Sequence, residues 1–370
     1  MLAAESLGAC TVQGFAPAPV GHKVKDLSRV QQVVRFANWL LYVDTTSGPH
    51  PRRPTLAAFT HSTGIMVDYS EPISDNNQFL GEIGVQLALG RSCGYDLVVL
   101  TDWMVADFIA KGWAEPLSVA AMPNASRLLP EFRNRPLPDV RAHSLPWQGG
   151  FTGIAWNKAA THRPVTTMKD LLTAPDLRGR VGLVSEMRDV MGLIMLDMGI
   201  NPTDFSDAEF TSALRMLDRS VRSGQILTVT NDYLAKLDKG EIAACVGWAG
   251  DAIYQHPFNP DINFTLPETG GMLWTDNMVI PAHSPHRENA LRLMDFYYQP
   301  SIAAQLSAYE YYICPVQGTR AAMRHVNPAL ADEPYIFPSP ELLARSHDFK
   351  LLPATLSDSY SSRFAATLGF

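Results

Sequence analysis

The sequence predicts an α/β protein in which two units each pair a largely parallel sheet with covering helices. The chain has 370 residues, of which 46% are hydrophobic and 18% are charged, so it can bury a sizeable core and is long enough for two domains. Strand-like and helix-like segments alternate along it in two blocks, as in parallel sheets whose strands are joined by helices. No stretch reaches the roughly 18 apolar residues that a membrane-spanning helix needs.

The first block begins at residue 33 and alternates between strands and helices. Gly64 and Gly112 stand where the first and third helices are expected to end, because glycine commonly follows the last helical turn. The predicted segments are strand VVRFANW (33–39), helix PTLAAFTHSTG (54–64), strand IMVDYSE (65–71), helix NNQFLGEIGVQLALG (76–90), strand YDLVVL (95–100) and helix WMVADFIAKGW (103–113).

The second block follows PWQGGFTGIAWNK (146–158). Its predicted segments are strand RVGLVS (180–185), helix MRDVMGLIMLDMG (187–199), helix FTSALRMLDRSVRSG (210–224), strand EIAACVGWAG (241–250) and, beyond MLWTDNMVIP (272–281), helices ENALRLMDFYYQ (288–299) and SIAAQLSAY (301–309). Periodicity leaves two arrangements open: the units follow one another, or the second is inserted before the first is complete.

Several classes of function find no support in the sequence. The net charge is −7 and no basic patch stands out, which argues against a nucleic-acid partner. Gly90–Gly94 matches the G-x-S-x-G nucleophile motif, but a helix precedes it and a strand follows, which reverses the order that the motif needs. There is no zinc-protease, phosphate-loop or dinucleotide-binding motif, and we predict no enzyme, no cofactor and no metal site. His283 and His286 are expected to be a solvent-exposed pair.

Aromatic and acidic residues recur where predicted strands give way to helices. In open α/β sheets, ligands bind at the carboxyl ends of the strands, so these side chains are expected to converge. Aromatic faces attract ammonium groups by about 0.5–2 kcal/mol each, and hydrogen bonds to charged groups contribute about 1.5–3 kcal/mol each. The pattern therefore predicts a site for an organic cation. The residues concerned are Trp39, Tyr42, Thr101, Asp102, Trp103, Glu186, Asp189, Trp248, Trp274 and Asp276.

The order of these motifs resembles the spermidine/putrescine-binding proteins of bacterial polyamine ABC importers, from about residue 33 to about residue 340. The matching segments are NWLLYV, YDLVVLTDWMV, VGLVSEMRDV, VGWAGDA, GGMLWTDNMVIPA and YYICPV. Arg188 lies between the two acids of the third motif, and we expect it to be structural and to pair with a carboxylate. The roles that the resemblance implies are aromatic walls from Trp39, Tyr42, Trp103, Trp248 and Trp274, amino-group contacts from Glu186, Asp189 and Asp276, and hydroxyl contacts from Thr101 and Tyr312.

The resemblance also implies the architecture. It is the type II periplasmic-binding-protein fold, in which two α/β lobes close on a ligand in the cleft between them. The first lobe is expected to comprise residues 31–150 plus 276–320, and the second residues 151–275 plus 321–370. The implied partners are a polyamine or related organic amine and the membrane permease of an ABC transporter, and we expect a monomer.

One departure from the family pattern concerns the ligand. Leu40 and Leu41 stand where the family usually has a Ser or Thr and an acid that hold one end of the polyamine. Asp102 could replace the missing carboxylate, although on a regular strand it would point away from its neighbours Thr101 and Trp103. The alternative is a binder of the same fold for another amine, or for an opine-like or thiamine-like solute.

The N-terminus favours a location outside the cytoplasm. Leu7, Gly8, Ala9 and Cys10 resemble a bacterial lipobox, in which the cysteine becomes lipidated. The Pro- and Gly-containing stretch after it is typical of a tether. We therefore expect residues 1–30 to be a signal or lipoprotein tether, and the protein to be periplasmic or lipid-anchored to the outer face of the cell membrane.

Overall fold

The computed structural model of the protein describes residues 24–135 and 138–369. The predicted lipobox at residues 7–10 lies outside these ranges, as does most of the predicted tether. The strands are β1 Val33–Trp39, β2 Met66–Ile73, β3 Leu97–Thr101, β4 Ser144–Asn157, β5 Val181–Leu183, β6 Ile226–Val229, β7 Ala244–Trp248, β8 Ile262–Thr265, β9 Gly271–Val279 and β10 Ser346–His347.

The α-helices are α1 Pro54–Thr63, α2 Asn76–Ala88, α3 Asp102–Ala110, α4 Pro130–Arg133, α5 Pro138–His143, α6 Lys158–Thr161, α7 Met168–Thr173, α8 Met187–Asp197, α9 Asp207–Arg222, α10 Leu234–Asp238, α11 Ala249–Gln255, α12 Arg287–Tyr297, α13 Pro300–Glu310, α14 Thr319–Val326, α15 Pro340–Ala344 and α16 Ala354–Leu368. Short 3₁₀ segments lie at Val119–Ala121, Pro123–Arg127, Pro175–Leu177 and Pro328–Leu330.

The strands join in one sheet in the part of the chain that the structure describes. Their order is β2-β1-β3-β9-β4-β7-β5-β6, with β8 paired to β4 and β10 paired to β9. The pairs β1–β2, β1–β3, β5–β6 and β5–β7 are parallel, as the alternating pattern predicts. Strand β9 runs antiparallel to both β3 and β4, and β4 runs antiparallel to β7. Two parallel half-sheets are thus joined by the antiparallel pair β4–β9.

Strand β4 is the longest of the strands that the sequence pattern does not predict. It runs for 14 residues and every one of them is buried, so it lacks the alternation of polar and apolar residues that marks a half-exposed strand. Glycines also weaken its strand signal, and they are needed for packing: a Cβ on Gly153 would lie 2.7 Å from the backbone oxygen of Thr265.

Local signals in the sequence explain where several helices begin and end. Helix α1 starts with Pro54 in its first turn and ends at Gly64, which has a φ of 71° and donates its N–H to the Thr60 oxygen. Helix α9 starts with a capping box in which Ser206 and Glu209 satisfy each other's backbone N–H groups. These signals lie within a few residues of each other, so sequence reasoning could use them.

Both faces of the half-sheet formed by β1, β2 and β3 are covered by helices, and successive side chains of its strands pack on opposite faces. Phe36 and Val99 pack on one face of this half-sheet, with α1, α12 and α13. Val98 and Leu100 pack on the other face, with α2 and α3. The second half-sheet packs against α7, α8, α9 and the C-terminal helix α16. Helix α16 was not predicted from the sequence, and Tyr360 on it stacks on Phe210 of α9 with ring centres 3.8 Å apart.

The predicted exposed histidine pair is wrong for His286. This side chain is buried, and its Nδ1 lies 3.0 Å from Asp96 Oδ2 while its Nε2 lies 2.7 Å from Gln31 Oε1. His286 precedes α12, which packs over β1, and both partners come from distant parts of the chain. Sequence spacing alone could not identify those partners.

The lobe boundaries that the sequence predicts, 31–150 plus 276–320 and 151–275 plus 321–370, stay a prediction. Strands β4 and β9 connect the two half-sheets, and α16 packs on the half that contains β5 and β7. Among residues 24–135 and 138–369, no helix combines the length and the apolar character that crossing a membrane requires.

Candidate ligand-binding site

A cavity of about 1180 Å³ opens between the two half-sheets, and residues of both half-sheets line it. A cavity of this size can hold a small organic molecule. The ten side chains to which the family resemblance assigns a ligand contact all line this cavity: Trp39, Tyr42, Thr101, Trp103, Glu186, Asp189, Trp248, Trp274, Asp276 and Tyr312. Their convergence follows from the sheet, because β1, β3 and β7 end here and α3, α8 and α11 begin here.

Strand β9 explains why a tryptophan and an acid stand two residues apart. Successive side chains of a strand point to opposite faces, so Trp274 and Asp276 share one face. Asp276 lies opposite Thr101 of β3, and Trp274 lies opposite Gly150 of β4. Paired residues of antiparallel strands point to the same face, which brings Thr101 into the cavity beside Asp276.

Gly150 leaves the space that the Trp274 ring occupies. A Cβ added at Gly150 would lie 2.8 Å from Trp274 Cε2. We expect Gly150→Ala to push the indole out of place and to lower the free energy of unfolding by about 1–3 kcal/mol, as measured by urea denaturation together with tryptophan fluorescence.

Gly81 provides the matched control for this substitution. It lies inside α2 with no neighbouring atom within 4 Å of an added Cβ. Gly81→Ala should therefore raise stability slightly, by about 0.5–1 kcal/mol, through helix propensity. Equal stability of the two variants would contradict the close packing of Trp274 on residue 150.

Asp276 is a buried carboxylate with one free oxygen. The side chain is 7% exposed, Tyr42 donates its hydroxyl to Oδ2 at 2.9 Å, and Oδ1 is buried without a partner among the described residues. Burial raises the pKa of Asp276 to about 7, against the hydrogen bond from Tyr42, and the charges of Asp102 and Asp189 raise the pKa further. A cation placed at Oδ1 would restore the charged form.

Two further acids lie at the start of α8. Glu186 precedes the helix and Asp189 is in its first turn, where the positive end of the helix dipole favours negative charge. Burial nevertheless raises the pKa of Glu186 to about 7, with a contribution from the charge of Asp189. Burial also raises the pKa of Asp189 to about 6, although Trp248 donates its indole N–H to Asp189 Oδ2 at 3.1 Å.

Arg188 does not take the role that the sequence predicts for it. We expected it to pair with a carboxylate, but its guanidinium lies over the Trp103 ring, 3.7 Å from the ring centre, and donates to Ser357 Oγ at 2.8 Å. Trp103 belongs to α3 and Arg188 to α8, so this stack spans the cavity. It covers one face of the Trp103 indole.

Acids outnumber bases in the lining of the cavity. Eight acidic side chains line it against three basic ones, Arg135, Arg188 and Lys350. Arg135 does not offer its charge to a ligand, because it pairs with Asp102 and Asp348 and donates to Thr275. The surplus of carboxylates favours a guest with positive charge. The acids are Asp102, Glu186, Asp189, Asp232, Asp251, Asp276, Glu310 and Asp348.

Asp102 is not the free carboxylate that could replace the acid missing at Leu40 and Leu41. Its Oδ1 accepts from Arg141 at 2.9 Å and from Asn277 at 2.7 Å, and Arg135 lies 3.3 Å from Oδ2. Two guanidinium groups therefore neutralise this carboxylate within the protein.

Sequence reasoning missed several lining residues. Asp251 accepts hydroxyl hydrogen bonds from Tyr233 at 2.7 Å and from Tyr312 at 3.1 Å. It lies in the first turn of α11, directly after β7, so the rule that found Glu186 and Asp189 would also have found it. Glu310 ends a helix instead of beginning one, and no pattern in the sequence pointed to it. The other aromatic side chains in the lining are Tyr254, Tyr309, Tyr311 and Phe349.

Known proteins match this chain in both sequence and structure. Residues 55–333 match the family model described as bacterial extracellular solute-binding protein. The chain is 27% identical over 312 residues to the spermidine/putrescine-binding periplasmic protein of Escherichia coli strain K12, covering 83% of this chain and 84% of that protein. It is 26% identical over 343 residues to the putrescine-binding periplasmic protein SpuD of Pseudomonas aeruginosa, covering 87% and 88%.

A solved structure supports the fold. The crystal structure of the spermidine/putrescine ABC transporter substrate-binding protein PotD from Streptococcus pneumoniae matches with a TM-score of 0.76 at 21% identity, covering 91% of this chain and 98% of that one. This match confirms the predicted α/β periplasmic-binding-protein fold.

Proposed function

Because this chain belongs to the bacterial extracellular solute-binding proteins, we propose that it captures a polyamine of the spermidine/putrescine class and delivers it to an ABC transporter. Members of this family bind solutes and are not enzymes. Relatives that are named for spermidine and putrescine binding cover most of the chain at about a quarter identity. The proposal concerns the class of ligand, an aliphatic chain that carries ammonium groups.

One observation carries the proposal: an unpartnered, buried carboxylate oxygen lies beside aromatic rings in a cavity rich in acids. Asp276 Oδ1 has no partner among the described residues, and Trp274 and Tyr312 pack edge to face with ring centres 4.9 Å apart. An ammonium group would supply the missing charge-assisted hydrogen bond, and the rings would cover the methylene groups next to it.

In this proposal, the ten residues that the resemblance assigns to the site have three kinds of role. The carboxylates of Glu186, Asp189 and Asp276 bind amino groups, and the hydroxyls of Thr101 and Tyr312 add hydrogen bonds. The aromatic walls of the site are Trp39, Tyr42, Trp103, Trp248 and Trp274. Trp39 is held in position by the hydrogen bond from its Nε1 to the Val99 oxygen, at 3.1 Å, so a rigid ring meets the ligand.

Delivery requires that the ligand favours one arrangement of the two half-sheets. A ligand shifts a conformational equilibrium only as far as it binds the two states differently. Glu186 and Asp189 lie on one half-sheet, and Thr101 lies on the other. A polyamine that touches both sides therefore stabilises the closed form, which the permease would recognise.

Calorimetry with spermidine, spermine, putrescine and their acetylated forms tests the proposal. We expect one amine per chain, no turnover, and weaker binding at higher salt because the attraction is electrostatic. The absence of heat with all of these amines, together with no thermal stabilisation, would refute the polyamine assignment.

Leu40 and Leu41 favour a second candidate, a solute with an apolar portion. They line the cavity and are 69% and 61% exposed, and Leu41 has a φ of 57°, which is unfavourable for a leucine. An acylated amine, or an opine-like or thiamine-like solute, would cover them. Mass spectrometry of the small molecule that co-purifies with the protein separates this candidate from an unmodified polyamine.

The proposed location is outside the cytoplasmic membrane, in the periplasm or anchored through a lipid on Cys10. The family description places its members outside the cell. Metabolic labelling with a radioactive fatty acid, compared between wild type and Cys10→Ser, tests the anchor: label on the wild type alone supports it, and no label on either excludes it.

A further inference from the structure

Glu310 is a buried acid in the lining of the cavity. It is 9% exposed, lines the cavity, and has its Oε1 buried without a partner among the described residues. Burial raises the pKa of its carboxyl well above the ordinary value, and the nearby charges of Asp44 and Glu71 raise it further. A position of this kind is unfavourable for an acid unless something else compensates it.

The neighbouring polar groups already have partners within the protein. Arg53 donates to Glu71 at 2.8 Å and to the Val43 oxygen at 3.1 Å, and its guanidinium lies 4.2 Å from the centre of the Tyr69 ring. Asp44 accepts from the Thr55 backbone N–H at 3.0 Å. Of these acids, Glu310 is the one that lines the cavity, and its Oε1 has no hydrogen-bond partner among the described residues.

The backbone around Glu310 strengthens the negative potential. Glu310 is the last residue of α13, where the carbonyl ends of the helix carry partial negative charge that disfavours an acid. The next residue, Tyr311, has a φ of 60°, which ends the helix and directs the chain to Tyr312 on the cavity wall. A helix C-terminus together with a carboxylate is a favourable site for a cation.

Aromatic rings connect Glu310 with Asp276. Tyr42 donates its hydroxyl to Asp276, and the rings of Tyr42 and Tyr312 pack edge to face with centres 6.3 Å apart. Glu310 stands two residues before Tyr312 in the chain, and its charge adds to the burial that raises the pKa of both phenols. A methylene chain could lie along these rings with one cationic group at each acid.

We propose that Glu310 binds a second ammonium group of the ligand, distinct from the one at Asp276, and so selects chains with two separated positive charges. The proposal rests on the proposed function. Glu310 takes the place of the acid that the chain lacks at Leu40 and Leu41, and Asp102 cannot do so because Arg135 and Arg141 neutralise it.

The test compares a diamine with a monoamine of the same chain length on the variant Glu310→Gln. Titration calorimetry with putrescine and with butylamine should show that Glu310→Gln weakens putrescine binding by about 10- to 100-fold, the range for one hydrogen bond between charged groups. Butylamine binding should change by less than about threefold. Glu310→Asp, which keeps the charge, should retain most of the preference for putrescine.

Two controls make the outcome decisive. Glu268→Gln removes an exposed acid outside the cavity lining and should leave both affinities unchanged within about threefold. Unliganded Glu310→Gln should melt at or above the wild-type temperature, because it removes a buried unpaired acid. Equal loss of both amines, or no loss of putrescine, would overturn the role of Glu310 and leave amine binding intact. A wild type that binds neither amine would overturn the proposed function as well.

Discussion

Replacing Asp276 by asparagine is expected to weaken polyamine binding by roughly a hundred- to a thousandfold, because removing one partner of a buried ion pair costs about 3–5 kcal/mol. The substitution keeps the shape of the side chain and its hydrogen bond with Tyr42, and it removes only the charge. Asp276 is 7% exposed and its Oδ1 has no partner among the described residues, so water cannot replace the lost interaction well. Calorimetry with putrescine and spermidine measures the effect.

The matched control is Asp232→Asn, at an exposed acid of the same cavity. It removes one negative charge, as Asp276→Asn does, but screening by solvent should limit its effect to less than about threefold. If both variants weakened binding equally, the amine would be attracted by the net charge of the cavity, and Asp276 would have no direct contact with it.

Polyamine binding is also expected to weaken sharply as the pH falls. The pKa of Glu186 and that of Asp276 are raised to about 7, and that of Asp189 to about 6, in each case mainly by burial. Aliphatic ammonium groups stay charged well above these values, with a pKa of about 10.4 for lysine. The acids must therefore release protons before they can pair with the ligand, and below about pH 6 most of the affinity should be lost.

Proton release can be measured directly. Calorimetric titration in buffers with different ionisation enthalpies should show about one or more protons released per amine near pH 6.5, and close to none near pH 8.5. Glu186→Gln should reduce the number released, because it removes one of the titrating groups. An affinity that is independent of pH across this range would show that these acids are already charged in the unliganded protein.

The stability of the unliganded protein should change with pH in the opposite sense. A group whose pKa is raised by folding binds more protons in the folded state, so its stabilising effect is present at low pH and is lost as pH rises. For Asp276 and Glu186, that loss should extend from about pH 4 to about pH 7. Urea denaturation should show this decline in the wild type and a weaker decline in Asp276→Asn, and saturating putrescine should offset it.

The sequence was sufficient for elements whose signals are local. Helix α1 was predicted because Pro54 and Gly64 mark its ends, and the strand at β1 because valine and aromatic residues concentrate there. Family resemblance and strand-to-helix junctions together identified ten residues that line one cavity. Periodicity did not reveal β4, because a strand buried on both faces and interrupted by glycines shows no alternation.

The sequence could not show which charged side chains pair with one another, because the two members of a pair come from distant parts of the chain. The sequence alone allows Asp102 to be a free carboxylate, whereas Arg135 and Arg141 pair with it in the folded protein. Arg188 was expected to pair with an acid, but it stacks on Trp103. Each outcome depends on which side chains the fold brings within a few ångströms of one another.

The amino-acid sequence by itself determined the α/β class, the positions of strands β1, β2, β3, β5 and β7 and of most of the long helices, and the kind of chemistry that the site offers, since these depend on residue types and on spacings of a few residues. Only the tertiary structure decided which carboxylates are free to meet a ligand. Burial, helix ends and counter-charges set the state of Asp102, Asp276 and Glu310, and these depend on contacts between segments that are far apart in the chain.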